Sequence, residues 1–128
     1  MAWLKGKRIL VVEDEALIAV MVEDMLTSMG SEVVGPVGTI EAALDLARGE
    51  GLDAAVLDVN VRGERIDPVA ELLMGRGVPV LFATGYGEVR LQSGAAATVI
   101  DKPYTQEKLA RGLMAAMGIA SNGGRRAG

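Results

Sequence analysis

Four short polar segments in this 128-residue chain each follow an apolar run that is typical of a strand. They are Glu13-Asp14, Asp58, Thr84 and Lys102-Pro103. Because the carboxyl ends of parallel strands lie along one edge of a sheet, we expect three carboxylates, a hydroxyl and an ammonium to converge there. Carboxylate oxygens suit Mg2+, and an ammonium and a hydroxyl suit the oxygens of a phosphoryl group. The spacing therefore indicates a site for a divalent cation and for phosphoryl transfer.

The residue types that are absent restrict the chemistry further. The sequence contains no cysteine, which excludes disulfides, thiolate metal sites and a cysteine nucleophile. It contains no histidine, which excludes a serine–histidine triad, histidine metal ligands and a phosphohistidine on this chain. The net charge of −4 gives no electrostatic basis for binding nucleic acid directly. Any chemistry must therefore use carboxylates, hydroxyls, lysine, arginine or the backbone.

Length and composition predict one folded domain, since half of the residues are apolar. We assign residues 1–120 to this domain and expect residues 121–128, rich in glycine and arginine, to form a flexible tail. No apolar stretch approaches the length of about 20 residues that spans a bilayer, and the N-terminus lacks a signal-peptide pattern. We therefore expect a cytoplasmic protein without membrane contacts.

Strand patterns alternate with helix patterns along the chain. The strand patterns cover residues 8–12, 32–37, 54–57, 78–83 and 97–100, and Gly35-Pro36 is expected to break the second one. The helix patterns cover residues 15–29, 40–48, 68–74 and 106–117, with Thr39 and Thr105 as N-caps. A further helix at 88–93 is weak, because glycines surround it. The alternation predicts an α/β fold with a doubly wound parallel sheet and helices on both faces.

In the strand order 2-1-3-4-5, Asp14 and Asp58 follow neighbouring strands at the point where the order reverses, a place that favours ligand binding. The two acids can bind one cation from opposite sides, with Glu13 assisting through water. Asp58 can also act as a nucleophile, because carboxylates form aspartyl phosphates in phosphoryl-transfer proteins. Lys102 and Thr84 can each contact one oxygen of the transferred group.

Together these residues resemble the receiver domain of two-component response regulators, at the family's spacing and over nearly the whole chain. The resemblance implies the flavodoxin-like receiver fold and phosphorylation of Asp58 by a sensor histidine kinase or a histidine phosphotransferase. It implies that Thr84 is the switch hydroxyl and that Lys102 binds the phosphate, aimed inward by a cis Lys102-Pro103 bond. Similar proteins are monomers or form phosphorylation-linked dimers, and both states stay open here.

The resemblance also implies the ligands of a Mg2+ cofactor. Asp14, Asp58 and the backbone carbonyl of Asn60 resemble the metal ligands of the family, and Glu13 occupies the outer acidic position. Residues 79–87, which include Phe-Ala-Thr-Gly, resemble a subfamily of receivers that often stand alone. That subfamily implies a partner kinase of the HWE or a related type.

The chain departs from many receivers at Val99, where they place a Tyr or Phe that rotates with the switch. A β-branched valine cannot act as an aromatic gate. Tyr86 and Tyr104 lie near enough in sequence to replace it.

Two other functions and several purely structural interpretations stay open. Asp58 can cap a turn, and the acids at 13–15 can stabilise a helix dipole. Asp58-Val59-Asn60 weakly resembles the motif of a magnesium-dependent aspartyl phosphatase, although Asn60 replaces its second acid. A receiver-like scaffold that is never phosphorylated is the other alternative.

Two apolar residues of the first helix lie at the margin of its core-facing stripe or beyond it. They are Leu17 and Val20. We hypothesise that they form a docking patch for the partner helix that brings phosphohistidine to Asp58. Single apolar residues on a surface are also common without any function.

Overall fold

A computed structural model of the chain describes residues 2–84, 98–102 and 104–118. Five strands form one parallel sheet: β1 Arg8–Val12, β2 Glu32–Val37, β3 Ala54–Asp58, β4 Val80–Thr84 and β5 Thr98–Asp101. Their order across the sheet is β2-β1-β3-β4-β5. The predicted order 2-1-3-4-5 is therefore confirmed, with its reversal between β1 and β3.

The described residues include four α-helices: α1 Ala16–Ser28, α2 Ile40–Gly49, α3 Asp67–Gly75 and α4 Gln106–Met117. Buried residues of α2 and α3 share one apolar cluster with the sheet. Buried residues of α1 and α4 share a second cluster with the sheet's other face. The helices thus cover both faces, which confirms the predicted doubly wound arrangement. None of these helices is long and apolar enough to cross a membrane.

The inner strands are largely apolar because they face helices on both sides. In β1, Leu10 and Val12 belong to the cluster with α2 and α3. Ile9 and Val11 belong to the cluster with α1 and α4, as the two-residue period of a strand requires. Every residue of β3 and β4 is buried.

The predicted helix caps are confirmed. The Thr39 side chain accepts a hydrogen bond from the backbone N–H of Ala42, and Thr105 accepts one from Lys108, each at 3.1 Å. Gly118 follows α4 with a φ of +73°, a left-handed conformation that glycine adopts without steric cost.

Several element boundaries differ from the prediction. β2 is not broken at Gly35-Pro36: the strand continues through this cis peptide, and only its register with β1 shifts there. β4 begins two residues later than expected, at Val80, and includes Thr84. A short hairpin after β3, Asn60–Val61 paired with Glu64–Arg65, was not predicted. The predicted helix at 88–93 and tail at 121–128 lie outside the described residues.

Gly112 lets α4 approach the sheet closely. A Cβ atom at this position would lie 2.8 Å from Ile100 Cγ2 and 2.8 Å from Leu81 Cδ1. We expect Gly112→Ala to lower the free energy of unfolding by about 1 kcal/mol, because overpacking outweighs the gain in helix propensity. Urea unfolding measures this difference.

Gly75→Ala is the matched control, because Gly75 ends α3 and a Cβ there meets nothing within 4 Å. If Gly112→Ala unfolds at the same urea concentration as this control, the close approach of α4 does not limit residue size.

Candidate functional site

Three acidic side chains converge at the carboxyl edge of the sheet. Glu13 and Asp14 directly follow β1, and Asp58 is the last residue of β3, the strand beside it. One carboxylate oxygen from each residue lies within 4.8 Å of the other two. Glu13 and Asp58 are buried, Asp58 being 9% exposed. Asp14 lies at the surface. The predicted acidic cluster is therefore present.

Lys102 reaches this cluster from the end of β5. Its ammonium lies 2.8 Å from Glu13 Oε1 and 3.2 Å from Asp58 Oδ2. The backbone N–H of Lys102 donates to the carbonyl of Thr84 at 3.0 Å, which ties the end of β5 to the end of β4. The lysine side chain thereby connects the end of β5 with residues at the ends of β1 and β3.

Thr84 is buried at the end of β4, the strand next to the one that ends with Asp58. In the β3–β4 register, Asp58 is the partner of Ala83, the residue before Thr84. Asn60 is exposed and begins the hairpin that follows β3. The role of its carbonyl as a metal ligand stays a prediction.

The carboxylates are oriented by backbone N–H groups as well as by the lysine. Glu13 Oε2 accepts from the backbone N–H of Glu15 at 3.0 Å, just before α1. Asp14 Oδ2 accepts from the backbone N–H of Arg62 at 2.9 Å. That hydrogen bond holds the pKa of Asp14 below its usual value, because it stabilises the ionised form.

Asp58 and Lys102 have shifted pKa values with different causes. Burial, with the nearby charge of Glu13, raises the pKa of Asp58 to about 6, although Lys102 acts in the opposite direction. Burial alone would lower the pKa of Lys102, but its hydrogen bond to Glu13 and the charge of Asp58 raise it overall. Lys102 therefore stays an ammonium, and Asp58 loses its proton less readily than an exposed aspartate.

The donor set fits a hard divalent cation. The three ionised carboxylates carry more negative charge than the single ammonium of Lys102 neutralises. Their oxygens are the ligands that Mg2+ prefers, and the exposed position of Asp14 leaves room for water in the coordination shell.

The structure also bears on the residues considered for the aromatic switch. Val99 is partly buried in β5 and packs against the cluster formed with α2 and α3. Tyr104 is buried on the other face. Burial raises the pKa of Tyr104, as do the charges of Glu13 and Asp58. Tyr86 and the Lys102-Pro103 bond lie outside the description, because residues 85–97 and 103 are not part of it.

Sequence reasoning missed the contribution of the hairpin to this site. Arg62 and Gly63 link its two strands, and both have positive φ, +53° and +81°. Asn-Gly or Asp-Gly between alternating strands is the usual signal for such a turn, whereas here Arg62 precedes the glycine and each strand is only two residues long.

The fold and this cluster define a response regulator receiver domain, and the chain belongs to that family. SdrG from Sphingomonas melonis, a solved structure, is 43% identical with a TM-score of 0.77, over 89% of this chain and 98% of SdrG. The receiver domain of a sensor histidine kinase from Pseudomonas aeruginosa, solved with a magnesium ion coordinated in its active-site cleft, is 25% identical. Its TM-score is 0.75, over 88% of this chain and 98% of that domain.

Curated relatives extend beyond the matched region. The transcriptional regulatory protein PdtaR of Mycobacterium tuberculosis is 31% identical over 104 residues, which are 77% of this chain and 51% of PdtaR. The phyllosphere-induced regulator PhyR of Methylorubrum extorquens is 34% identical over 102 residues, 75% of this chain and 38% of PhyR. The chain thus spans about half the length of these relatives or less. No protein-family model matches it.

The raised pKa of Asp58 predicts that its ionised form destabilises the metal-free protein. We expect Asp58→Asn to raise the free energy of unfolding at pH 7 by about 2 kcal/mol in the presence of a chelator. Between pH 4 and about 6 the folded state holds this proton and the unfolded state does not. The stability of the unchanged protein relative to the variant therefore falls as the pH rises through that window, which urea unfolding at several pH values measures.

Asp14→Asn is the control, because the pKa of Asp14 is shifted in the opposite direction and its replacement should give no such gain. An equal effect of Asp58→Asn at pH 3.5 and pH 7 would contradict the expectation.

Proposed function

We propose that this chain is a phosphoacceptor switch in a two-component phosphorelay. A phosphohistidine of a sensor histidine kinase or phosphotransferase donates to Asp58. Mg2+ is held by Asp14, Asp58 and the carbonyl of Asn60, with Glu13 assisting through water from the outer acidic position. The observation that carries the proposal is the Lys102 ammonium, which lies between Glu13 and Asp58 within an acidic cluster. The magnesium ion in the related kinase receiver supports the choice of cofactor.

The transfer itself requires an ionised Asp58. An oxygen of this carboxylate attacks the phosphorus atom, the phosphorus–nitrogen bond to the partner imidazole breaks, and its electron pair stays on the imidazole nitrogen. At pH 7 the ionised form predominates, since the pKa of Asp58 is about 6. Bound Mg2+ supplies positive charge to the oxygens of the phosphoryl group.

The residues around Asp58 have distinct roles in this proposal. Lys102 already contacts Asp58 Oδ2 and can transfer that contact to a phosphoryl oxygen while it keeps Glu13 as its second partner. Thr84 offers a hydroxyl at the end of the adjacent strand. A contact between this hydroxyl and the new phosphate would move the end of β4, and with it the backbone bond from Lys102 to Thr84. The strand end therefore couples phosphorylation to a surface change.

The partner docks, in this proposal, on an apolar patch of α1 formed by Leu17, Val20 and Met21. These are the large apolar side chains that are most exposed in the described part of the chain, at 75%, 51% and 38%. Their spacing of three and four residues places them on one face of α1. Leu17 lies three residues after Asp14, so the patch begins beside the acidic cluster. The Phe-Ala-Thr-Gly resemblance suggests a kinase of the HWE or a related type as the partner.

A single phosphorylation test decides between this function and its alternatives. After incubation with a small-molecule phosphodonor, we expect the intact mass to show one added phosphoryl group that requires both Mg2+ and Asp58. Asp58→Ala should abolish the adduct, whereas Asp45→Ala, which removes an exposed acid of α2, should keep it. Continued release of phosphate from a small phosphate ester would indicate an aspartyl phosphatase instead. No adduct on a folded protein with either a small donor or a kinase would indicate a scaffold.

The α1 patch can be tested by comparing two phosphodonors. We expect Leu17→Ser with Val20→Ser to slow transfer from a partner histidine kinase by about tenfold, because a docking contact of roughly 1.4 kcal/mol is lost. Phosphorylation by a small-molecule donor is the internal control and should keep its rate. Equal kinase transfer rates for the variant and the unchanged protein would refute the patch.

A further inference from the structure

The segment between β3 and α3 forms a closed loop beside the acidic cluster. The backbone N–H of Ile66 donates to the carbonyl of Val59 at 2.9 Å, which joins the two ends of the loop. Val61 and Ile66 are fully buried in the cluster formed with α2 and α3. The loop is therefore fixed at its base by this hydrogen bond and on the side of the core by its two buried side chains.

The tip of this loop donates a hydrogen bond to Asp14. Arg62 and Gly63 form the turn of the hairpin, and their positive φ values are those that a tight two-residue hairpin turn requires. In this conformation the backbone N–H of Arg62 donates to Asp14 Oδ2 at 2.9 Å. The hairpin thus fixes the orientation of the most exposed carboxylate in the cluster.

The base of the hairpin carries a second polar contact. Arg65 pairs with Asn60 across the hairpin, and its Nε donates to Asp67 Oδ1 at 2.7 Å. Asp67 is 3% exposed and is the first residue of α3. The amino end of a helix stabilises a carboxylate there, and the ion pair with Arg65 offsets part of the cost of burying it.

The side chain of Asp67 is 5% exposed and that of Arg65 is 42% exposed, and a half-buried pair of this kind specifies orientation more than it adds stability. An apolar pair of similar size at the same place is often at least as stable, but it has no directional preference. The planar guanidinium of Arg65 has one orientation in which Nε faces Asp67. The contact restrains Arg65, whose backbone pairs with Asn60, and it thereby restrains the hairpin whose turn includes Arg62.

We propose that Asp67 and Arg65 are positioning residues for the divalent-cation site, acting through the hairpin on Asp14 and Asn60. This inference rests on the proposed function, because it concerns the Mg2+ ligands named there. Neither residue touches the cation or the phosphoryl group. Their effect is to keep two ligands from separate parts of the chain in place before a cation arrives, which lowers the ordering cost of binding.

The test is to titrate the whole chain with MgCl2 and to monitor its backbone amides by NMR. The titration compares the unchanged protein with Arg65→Gln and Asp67→Asn. We expect Arg65→Gln to weaken Mg2+ binding about fivefold, less than the loss of about tenfold or more for partners that contact a ligand directly. Removal of a positive charge near the site would by itself tighten binding. The two explanations therefore predict opposite signs, and binding as tight as or tighter than in the unchanged protein would overturn the proposal.

Asp67→Asn provides a second variant and should weaken Mg2+ binding in the same direction, by about threefold. Its matched control is Asp45→Asn, which removes the same charge from an ion pair with Arg48 on α2, 3.6 Å long, in the cleft that Arg62 also lines. We expect that control to change the affinity less than twofold. If Arg65→Gln does not fold, an unchanged affinity of Asp67→Asn, or one equal to that of Asp45→Asn, refutes the proposal.

Hydrogen exchange of the Arg62 amide separates this inference from the proposed function. Without metal, we expect this amide to exchange about tenfold faster in both variants, because the hairpin no longer keeps it against Asp14. The Ala42 amide, which Thr39 caps on α2, should be unaffected. If the unchanged protein does not bind Mg2+, the proposed function fails. The positioning role is refuted separately if the Arg62 amide exchanges at the same rate in the metal-free variants as in the unchanged protein.

Discussion

The ammonium of Lys102 is the group on which the rest of the site depends. It contacts Glu13 and Asp58, two buried acids that belong to neighbouring strand ends and would otherwise repel each other at close range. Its own backbone is tied to Thr84. One residue therefore connects β1, β3, β4 and β5 at their carboxyl ends. Any event that changes the charge of Asp58 must change the contacts of this lysine, and that is the physical basis for a switch.

The remaining carboxylate is held in a different way. Asp14 receives a hydrogen bond from the turn at Arg62, and that turn belongs to a hairpin anchored through Arg65 and the buried Asp67. The cluster thus has one half that Lys102 connects and another, Asp14, that a surface loop contacts. A cation bound between them would join the two halves, so cation binding and loop position are thermodynamically linked.

The two-faced packing of the sheet places all of these groups at one edge. β3 and β4 are buried along their whole length, so polar side chains can follow them only where each strand ends. On the face that carries α4, Gly112 allows the helix to lie close to Leu81 and Ile100, the latter two residues before Lys102. The packing of α4 therefore restricts the position of β5, the strand that Lys102 follows.

The sequence alone determined the fold class and the identity of the acidic cluster, because strand patterns, caps and polar strand ends are local signals. The strand order was expected from the doubly wound class that these patterns indicate. The strand at Arg8–Val12 and the Thr39 cap could both be predicted, since each depends on neighbours within a few residues. Only the tertiary structure decided that Glu13 is the closer partner of Lys102, 89 residues away, and that Arg62 holds Asp14, 48 residues away. Such contacts depend on how distant segments pack, and no local pattern encodes the burial that raises the pKa of Asp58.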